Sequence, residues 1–243
     1  MSTPKTLEIV VDSARDAMAA AAFADRIELC GELGLHGVTP EARVVREVAA
    51  GLRGIAAVAR PRVVALVRPR HMVDRAAGEA FRADAADLAV MVREIEACIE
   101  AGADEVCVGV LDALGGLDVA ACCALRRVDE ARVVAFHRAF DWAAEVDPRG
   151  VVAALADLGF RRTLASGAAQ LDVGGVPLIS RVARLADAAW RARSCGLEIV
   201  TCGGVRPENA GIFVRVTGHV HASCRDGAGV FDAGIARGVR EAI

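Results

Sequence analysis

Apolar and polar positions along this chain follow two periods. Short β-branched runs with a period near two recur at 7–11 (LEIVV), 26–30 (RIELC), 63–67 (VVALV), 105–110 (EVCVGV), 132–136 (RVVAF), 162–165 (RTLA), 197–201 (LEIVT) and 218–222 (GHVHA). Between them lie alanine-rich amphipathic runs, clearest at 40–51, 84–101, 148–157 and 175–194. The first kind suits a strand and the second a helix. Strands alternating with helices imply parallel pairing with right-handed crossovers. Eight such units in 243 residues match a closed barrel better than an open doubly wound sheet. The expectation is one (β/α)8 barrel domain over 1–243, with a C-terminal tail at about 226–243.

A weak internal repeat agrees with this. AFADRIEL (22–29), AGADEVCV (101–108) and LGFRRTLA (158–165) each join a helix end, a tight turn and a strand start. A small residue or glycine there permits the left-handed turn into the next strand, so the repeat marks packing at the bottom of the barrel. The longest unpatterned stretch after a strand is 69–84, and its length makes it a candidate lid.

In such a barrel the segments following the strands form the active face. Side chains alternate along a strand, so with Ile27 and Leu29 facing the helices, Glu28 and Cys30 face the lumen. The same parity aims Arg68 inward after the third strand and His137 inward after the fifth. A lumen carboxylate needs a cation or a proton, and a Glu28–Arg68 pair that merely ties strands together is one way to meet that need. His137 is the side chain there that ordinarily titrates near neutral pH. Strand six ends in Ser166–Gly167, a hydroxyl before a permissive turn. Strand seven runs into CGGVRPEN (202–209), where Gly203, Gly204 and the Pro-led helix start offer backbone N–H groups to an anion. Strand eight carries His219, His221 and Ser223.

Composition narrows the partners. A formal net charge of −3 without like-charge runs argues against a nucleic acid or an anionic membrane surface. No stretch of about 18 uncharged apolar residues occurs, and MSTPKTLEIVV has no apolar leader core, so a cytoplasmic location is expected. The eight cysteines should then stay reduced. Cys98, Cys122, Cys123 and Cys195 read as packing residues, whereas Cys30, Cys202 and Cys224 read as lying near the ligand face. With the nearby histidines those three thiols are candidate soft-metal ligands.

Several of these segments resemble the CutC family of copper homeostasis proteins. ADRIELCGELGLHGVTPE (24–41), LVRPR (66–70), ADEVCVGVL (103–111), AFHRAFD (135–141), LASG (164–167), CGGV (202–205) and HASCR (221–225) follow the order of its motifs across about residues 7–225. The resemblance implies a β/α barrel, a homo-oligomer (dimer or tetramer), cytoplasmic residence and an association with copper. Departures fall on the ligand face. Val10 stands where the family commonly has the cysteine that, with the one in IELC, has been proposed as a Cu(I) site. Cys202 and His36 replace glycines, Cys224 replaces an alanine, and the 69–84 loop is longer.

Two functions are thus expected in competition. One is a copper homeostasis protein that binds Cu(I) through Cys30, with Cys202 or His221. The other is a barrel enzyme for a small phosphorylated or carboxylated metabolite. In the latter Arg68, Gly203 and Gly204 hold the anion, Glu28 and His137 share acid–base work, and Ser166 and His221 position the substrate.

Overall fold

The structure, a computed structural model, describes residues 5–56, 59–76 and 78–243; residues 1–4, the first of the MSTPKTLEIVV segment, and Ala77 of the long loop lie outside them. Eight strands close into a parallel barrel in sequence order. They are β1 (Thr6–Val11), β2 (Arg26–Leu29), β3 (Arg62–Leu66), β4 (Glu105–Val108), β5 (Val133–Phe136), β6 (Arg162–Ala165), β7 (Glu198–Thr201) and β8 (His219–Ala222). The helices are α1 (Ala14–Ala20), α2 (Ala42–Leu52), α3 (Arg70–Val73), α4 (Ala85–Glu100), α5 (Val119–Arg126), α6 (Ala139–Val146), α7 (Gly150–Asp157), α8 (Leu178–Ala192), α9 (Pro207–Thr217) and α10 (Ala233–Ala242). The alternation read from the sequence therefore gives the expected (β/α)8 barrel. No described helix is long and apolar enough to cross a membrane.

Strand parity builds two cores. Leu7, Ile9, Ile27, Leu29, Val63, Ala65, Val106 and Val108 face the helices and join one continuous outer core. Their neighbours face the lumen, where Val64, Cys107, Ala135, Leu164, Val200 and Cys202 form an inner apolar layer. The helices meet the outer core with single faces, as Val45, Val48 and Leu52 of α2 do at helical spacing. Several start on acidic N-caps; Asp84 and Asp87 cap α4 reciprocally, each carboxylate accepting the other's backbone N–H. Two copies of the repeat do use left-handed glycines, Gly102 (φ 107°) and Gly159 (φ 85°), whereas the copy at 22–29 makes its turn without one.

The bottom of the lumen is charged, which the sequence reading missed. Glu8 accepts from Arg26 Nε at 2.9 Å, and Arg162 stands 3.6 Å from the same oxygen while also pairing with Glu105. Arg62 reaches Glu105 at 2.7 Å. These pairs satisfy buried charge that an apolar strand core could not tolerate singly.

Two further expectations change. The stretch at 226–243 is no tail, since it contains α10, whose Ala236 and Val239 are buried against the outer core. The 69–84 loop, unpatterned in sequence, carries α3 and is tied down at its described residues: Arg75 and His71 both hold Asp87, Arg75 also donates to the Arg82 carbonyl at 2.7 Å, and Leu111 donates to the Phe81 carbonyl at 2.9 Å.

Candidate functional site

A cavity of about 710 Å³ opens at the C-terminal ends of the strands. That volume falls within the range of small-molecule sites. Glu28, Arg68, His137 and His221 all line it, with Cys30, Cys202, Gly203 and Gly204. The strand-parity argument thus gathers its main residues around one space.

Arg68 lies two residues after β3, and the residue is 3% exposed. Only Nη1 has partners, the carbonyls of His36 and Gly37 at 3.4 Å. Nε and Nη2, which form the bidentate edge of the guanidinium, have none among the described residues. The Phe81 ring lies 4.8 Å from the guanidinium carbon and covers it. Burial lowers the Arg68 pKa to about 10, and the like charge of Arg138 adds to the effect. A cation that stays buried beside another cation, with its best hydrogen-bonding edge unused, is arranged for an anion.

Glu28 is its neighbour in the cavity rather than its salt-bridge partner. Oε1 of Glu28 is buried without a hydrogen bond among the described residues, and Oε2 lies 3.8 Å from His221 Nε2. Burial raises this carboxyl to about 7, with His221 pulling the other way. On the far side of the imidazole, His221 Nδ1 sits 2.8 Å from Glu8 Oε1. Burial pushes Glu8 up as well, but the His221 hydrogen bond and the charges of Arg162 and Arg26 outweigh it and hold Glu8 well below the usual carboxylate range. Against the burial penalty, Glu8 raises the His221 pKa. The row Glu8–His221–Glu28 therefore leads from a fixed negative charge to a carboxyl that exchanges protons near neutral pH.

His137 differs. Burial lowers it to about 3, and Arg68 adds to the shift, so it is neutral at physiological pH. Its Nδ1 accepts the Ala139 N–H at 3.2 Å, which assigns the ring proton to Nε2. It can donate a hydrogen bond, but it does not titrate near neutral pH as its residue type ordinarily does.

The family model for CutC matches residues 5–226. This chain belongs to the CutC family. A CutC family protein from Caulobacter vibrioides is 36% identical over 213 residues, covering 87% of this chain and 77% of that protein. One from Xanthomonas axonopodis pv. citri is 35% identical over 226 residues, covering 90% and 83%. The crystal structure of the copper homeostasis protein CutC from Streptococcus agalactiae superposes with a TM-score of 0.77 at 25% identity, covering 90% of this chain and 98% of that one.

Other expected site residues of this CutC chain lie elsewhere or are already engaged. Ser166 is fully buried, and its hydroxyl donates to Asp141 at 2.8 Å rather than facing the cavity. Asp141 also accepts the N–H groups of Ser166 and Gly167, each at 3.0 Å, which fixes the turn after β6. Cys224 is not at the mouth. Its φ of 49° turns the chain after β8, and the thiol joins the outer core. Gly203 and Gly204 adopt left-handed φ of 75° and 67°, and the N–H of neither is hydrogen-bonded to a backbone carbonyl among the described residues.

Cys30 and Cys202 reach the cavity from separate apolar clusters, Cys30 beside Val10 and Leu66, Cys202 in the inner layer. Burial raises the Cys202 thiol to about 12 and lifts Cys30 well above the ordinary thiol range. Among the described residues, the one group of three metal-type ligands close together is Glu8, Glu28 and His221, and it includes no cysteine. The donors present therefore do not form the two-thiolate set that Cu(I) prefers.

Three contributors went unread in the sequence. Arg138 holds the segment after β6 through the carbonyls of Gln170 and Leu171, at 2.6 and 2.8 Å. Arg181 of α8 donates to the carbonyls of Ser166, Cys202 and Gly203, tying the ends of β6 and β7 together. Phe81, from the supposed lid, is part of the cavity wall.

Proposed function

We propose that this CutC protein is a barrel enzyme that holds a small phosphorylated or carboxylated metabolite on Arg68 and moves a proton through Glu28. The observation that carries the reading is the buried Arg68 guanidinium, whose Nε and Nη2 lack partners among the described residues. A buried unpaired cation costs several kcal/mol, at roughly the scale of other uncompensated buried charges, and a bound anion would repay that cost. Gly203 and Gly204 supply backbone N–H groups at the same cavity, and burial, opposed by the charge of His221, raises the Glu28 carboxyl toward neutrality. Titration calorimetry with inorganic phosphate tests the reading: wild-type protein should bind it, and Arg68→Met should not. Equal binding by both proteins would refute it.

A second reading follows from Cys30, Cys202 and His221 lining one cavity. In it the chain binds Cu(I), in keeping with the copper homeostasis named for the Streptococcus agalactiae protein. Binding would have to strip protons from thiols that burial keeps protonated. Anaerobic titration against a Cu(I) chelator decides it, because this reading requires Cys30→Ala to weaken binding. A place in copper homeostasis is compatible with either reading, since it does not require copper to sit on this chain. The free cysteines suit a reducing compartment such as the cytoplasm.

A further inference from the structure

The protonation state of His137 is fixed by its surroundings. Its Nδ1 accepts the N–H of Ala139 in the first turn of α6, so its only N–H is on Nε2. The ring packs against Phe81 and Phe136, with centroids 5.1 and 5.8 Å away. Gly109, just after β4, makes room for it: a Cβ there would lie 2.5 Å from Nδ1, closer than real contacts allow. The ring is therefore held rigidly as a neutral donor at the wall of the cavity that also contains Glu28 and Arg68.

The cavity offers few routes for covalent chemistry. Lys5 is the only lysine in the chain and lies exposed just before β1, so no lysine imine can form in the cavity. The Ser166 hydroxyl is committed to Asp141, and the cavity thiols are held protonated. A proton-exchanging carboxyl and a fixed N–H donor lining one cavity suit a different reaction, one in which negative charge develops on an oxygen.

We infer that the site catalyses proton transfer at the carbon next to a carbonyl in a small anionic carbonyl compound, with Glu28 taking the proton and the His137 Nε2–H holding the carbonyl oxygen. This rests on the reading that Arg68 holds the substrate's anionic group. The Glu28 carboxylate removes the proton from the α-carbon. The C–H electron pair becomes the carbon–carbon π bond, and the carbonyl π pair moves onto oxygen, where the Nε2–H stabilises it by hydrogen bonding without giving up its proton. Glu28, whose proton exchanges with solvent, then returns a proton to the same carbon as the two π pairs move back, which restores the carbonyl compound with its α-hydrogen exchanged and leaves the enzyme unchanged. No oxidant, reductant or second substrate enters.

Two measurements test the inference. In the first, the protein is incubated in deuterium oxide with dihydroxyacetone phosphate or with pyruvate, and exchange of the α-hydrogens is followed by proton NMR. Exchange above the buffer rate is expected with at least one probe, and the one that exchanges tells whether the anionic group is phosphoryl or carboxylate. Glu28→Gln should cut that exchange by about a hundredfold or more and His137→Gln by about tenfold or more, while both retain phosphate binding. If phosphate binds through Arg68 but neither probe exchanges, the inference fails and the anion site stands. If phosphate does not bind, the proposed function itself fails. The second measurement needs no variant: two-bond proton–nitrogen NMR of the wild-type protein should show His137 as the neutral Nε2–H tautomer from about pH 5 to pH 9. A charged ring or an Nδ1–H tautomer at pH 7 would overturn the inference, whatever the substrate.

Discussion

Glu28→Gln keeps the volume of the buried side chain and removes its titration, so its effect on stability should depend on pH. Burial raises this carboxyl from its ordinary 4.5 to about 7, with His221 opposing. A group whose pKa rises on folding gives its full stability below the unfolded value and loses it as pH rises through the folded value. The window here runs from about 4.5 to about 7. At about 1.4 kcal/mol per unit, going from pH 5 to pH 8 should cost the wild-type protein about 2–3 kcal/mol that the glutamine variant does not lose. Urea unfolding of both proteins at several pH values in this range gives the two stability curves. Their difference isolates Glu28 from groups that titrate in both proteins. The variant should gain on the wild type steadily as pH rises. Parallel curves would mean that Glu28 is ionised throughout, and a carboxylate that never holds a proton near neutrality could not return one to a substrate.

Two other substitutions test the scaffold beneath the site. Asp141→Asn leaves one oxygen to accept the N–H groups of Ser166 and Gly167 but puts an amide N–H₂ where the other oxygen accepts the Ser166 hydroxyl, and should cost about 1–3 kcal/mol in urea unfolding, with the segment at 166–168 becoming sensitive to hydrogen exchange. Arg162→Met leaves Glu105 and Glu8 each short of a partner and should cost about 3–5 kcal/mol, read as a lower thermal midpoint; adding Glu105→Gln should recover part of it.

The sequence made the barrel legible because each strand carries its pattern in four to six residues. Leu7, Ile9 and Val11 mark the helix side of β1 as plainly as Ile27 and Leu29 mark that of β2. The same parity found Glu28, Arg68 and His137. Applied to β1 it would have found Glu8 too, since Glu8 lies between Leu7 and Ile9 and points into the lumen against Arg26 and His221. Parity failed where strands end. Cys224 follows β8 by two residues, and one left-handed φ carries its thiol to the outer core. Ser166 does follow the inward parity, but Asp141 arrives from α6 to take its hydroxyl, a contact between residues 25 apart that no local pattern shows. Phe81 was hidden for a related reason. The 69–84 loop has no periodicity to read, and its side chain reaches Arg68 and His137 only because Asp87 and Leu111 fix the loop's path. The neutral state of His137 depends on burial and on a helix N–H, and neither is visible in AFHRAFD alone.

The central claim is that the free edge of Arg68 binds an oxyanion, and a crystal soaked in selenate tests it most directly. Selenate has the shape and charge of the tetrahedral anions the site should take, and its selenium can be located by anomalous scattering. The account predicts a peak in the cavity within hydrogen-bonding reach of Arg68 Nε and Nη2, on the side of Gly203 and Gly204. Selenate found only on the outer surface, with that edge of Arg68 covered by apolar side chains, would contradict it.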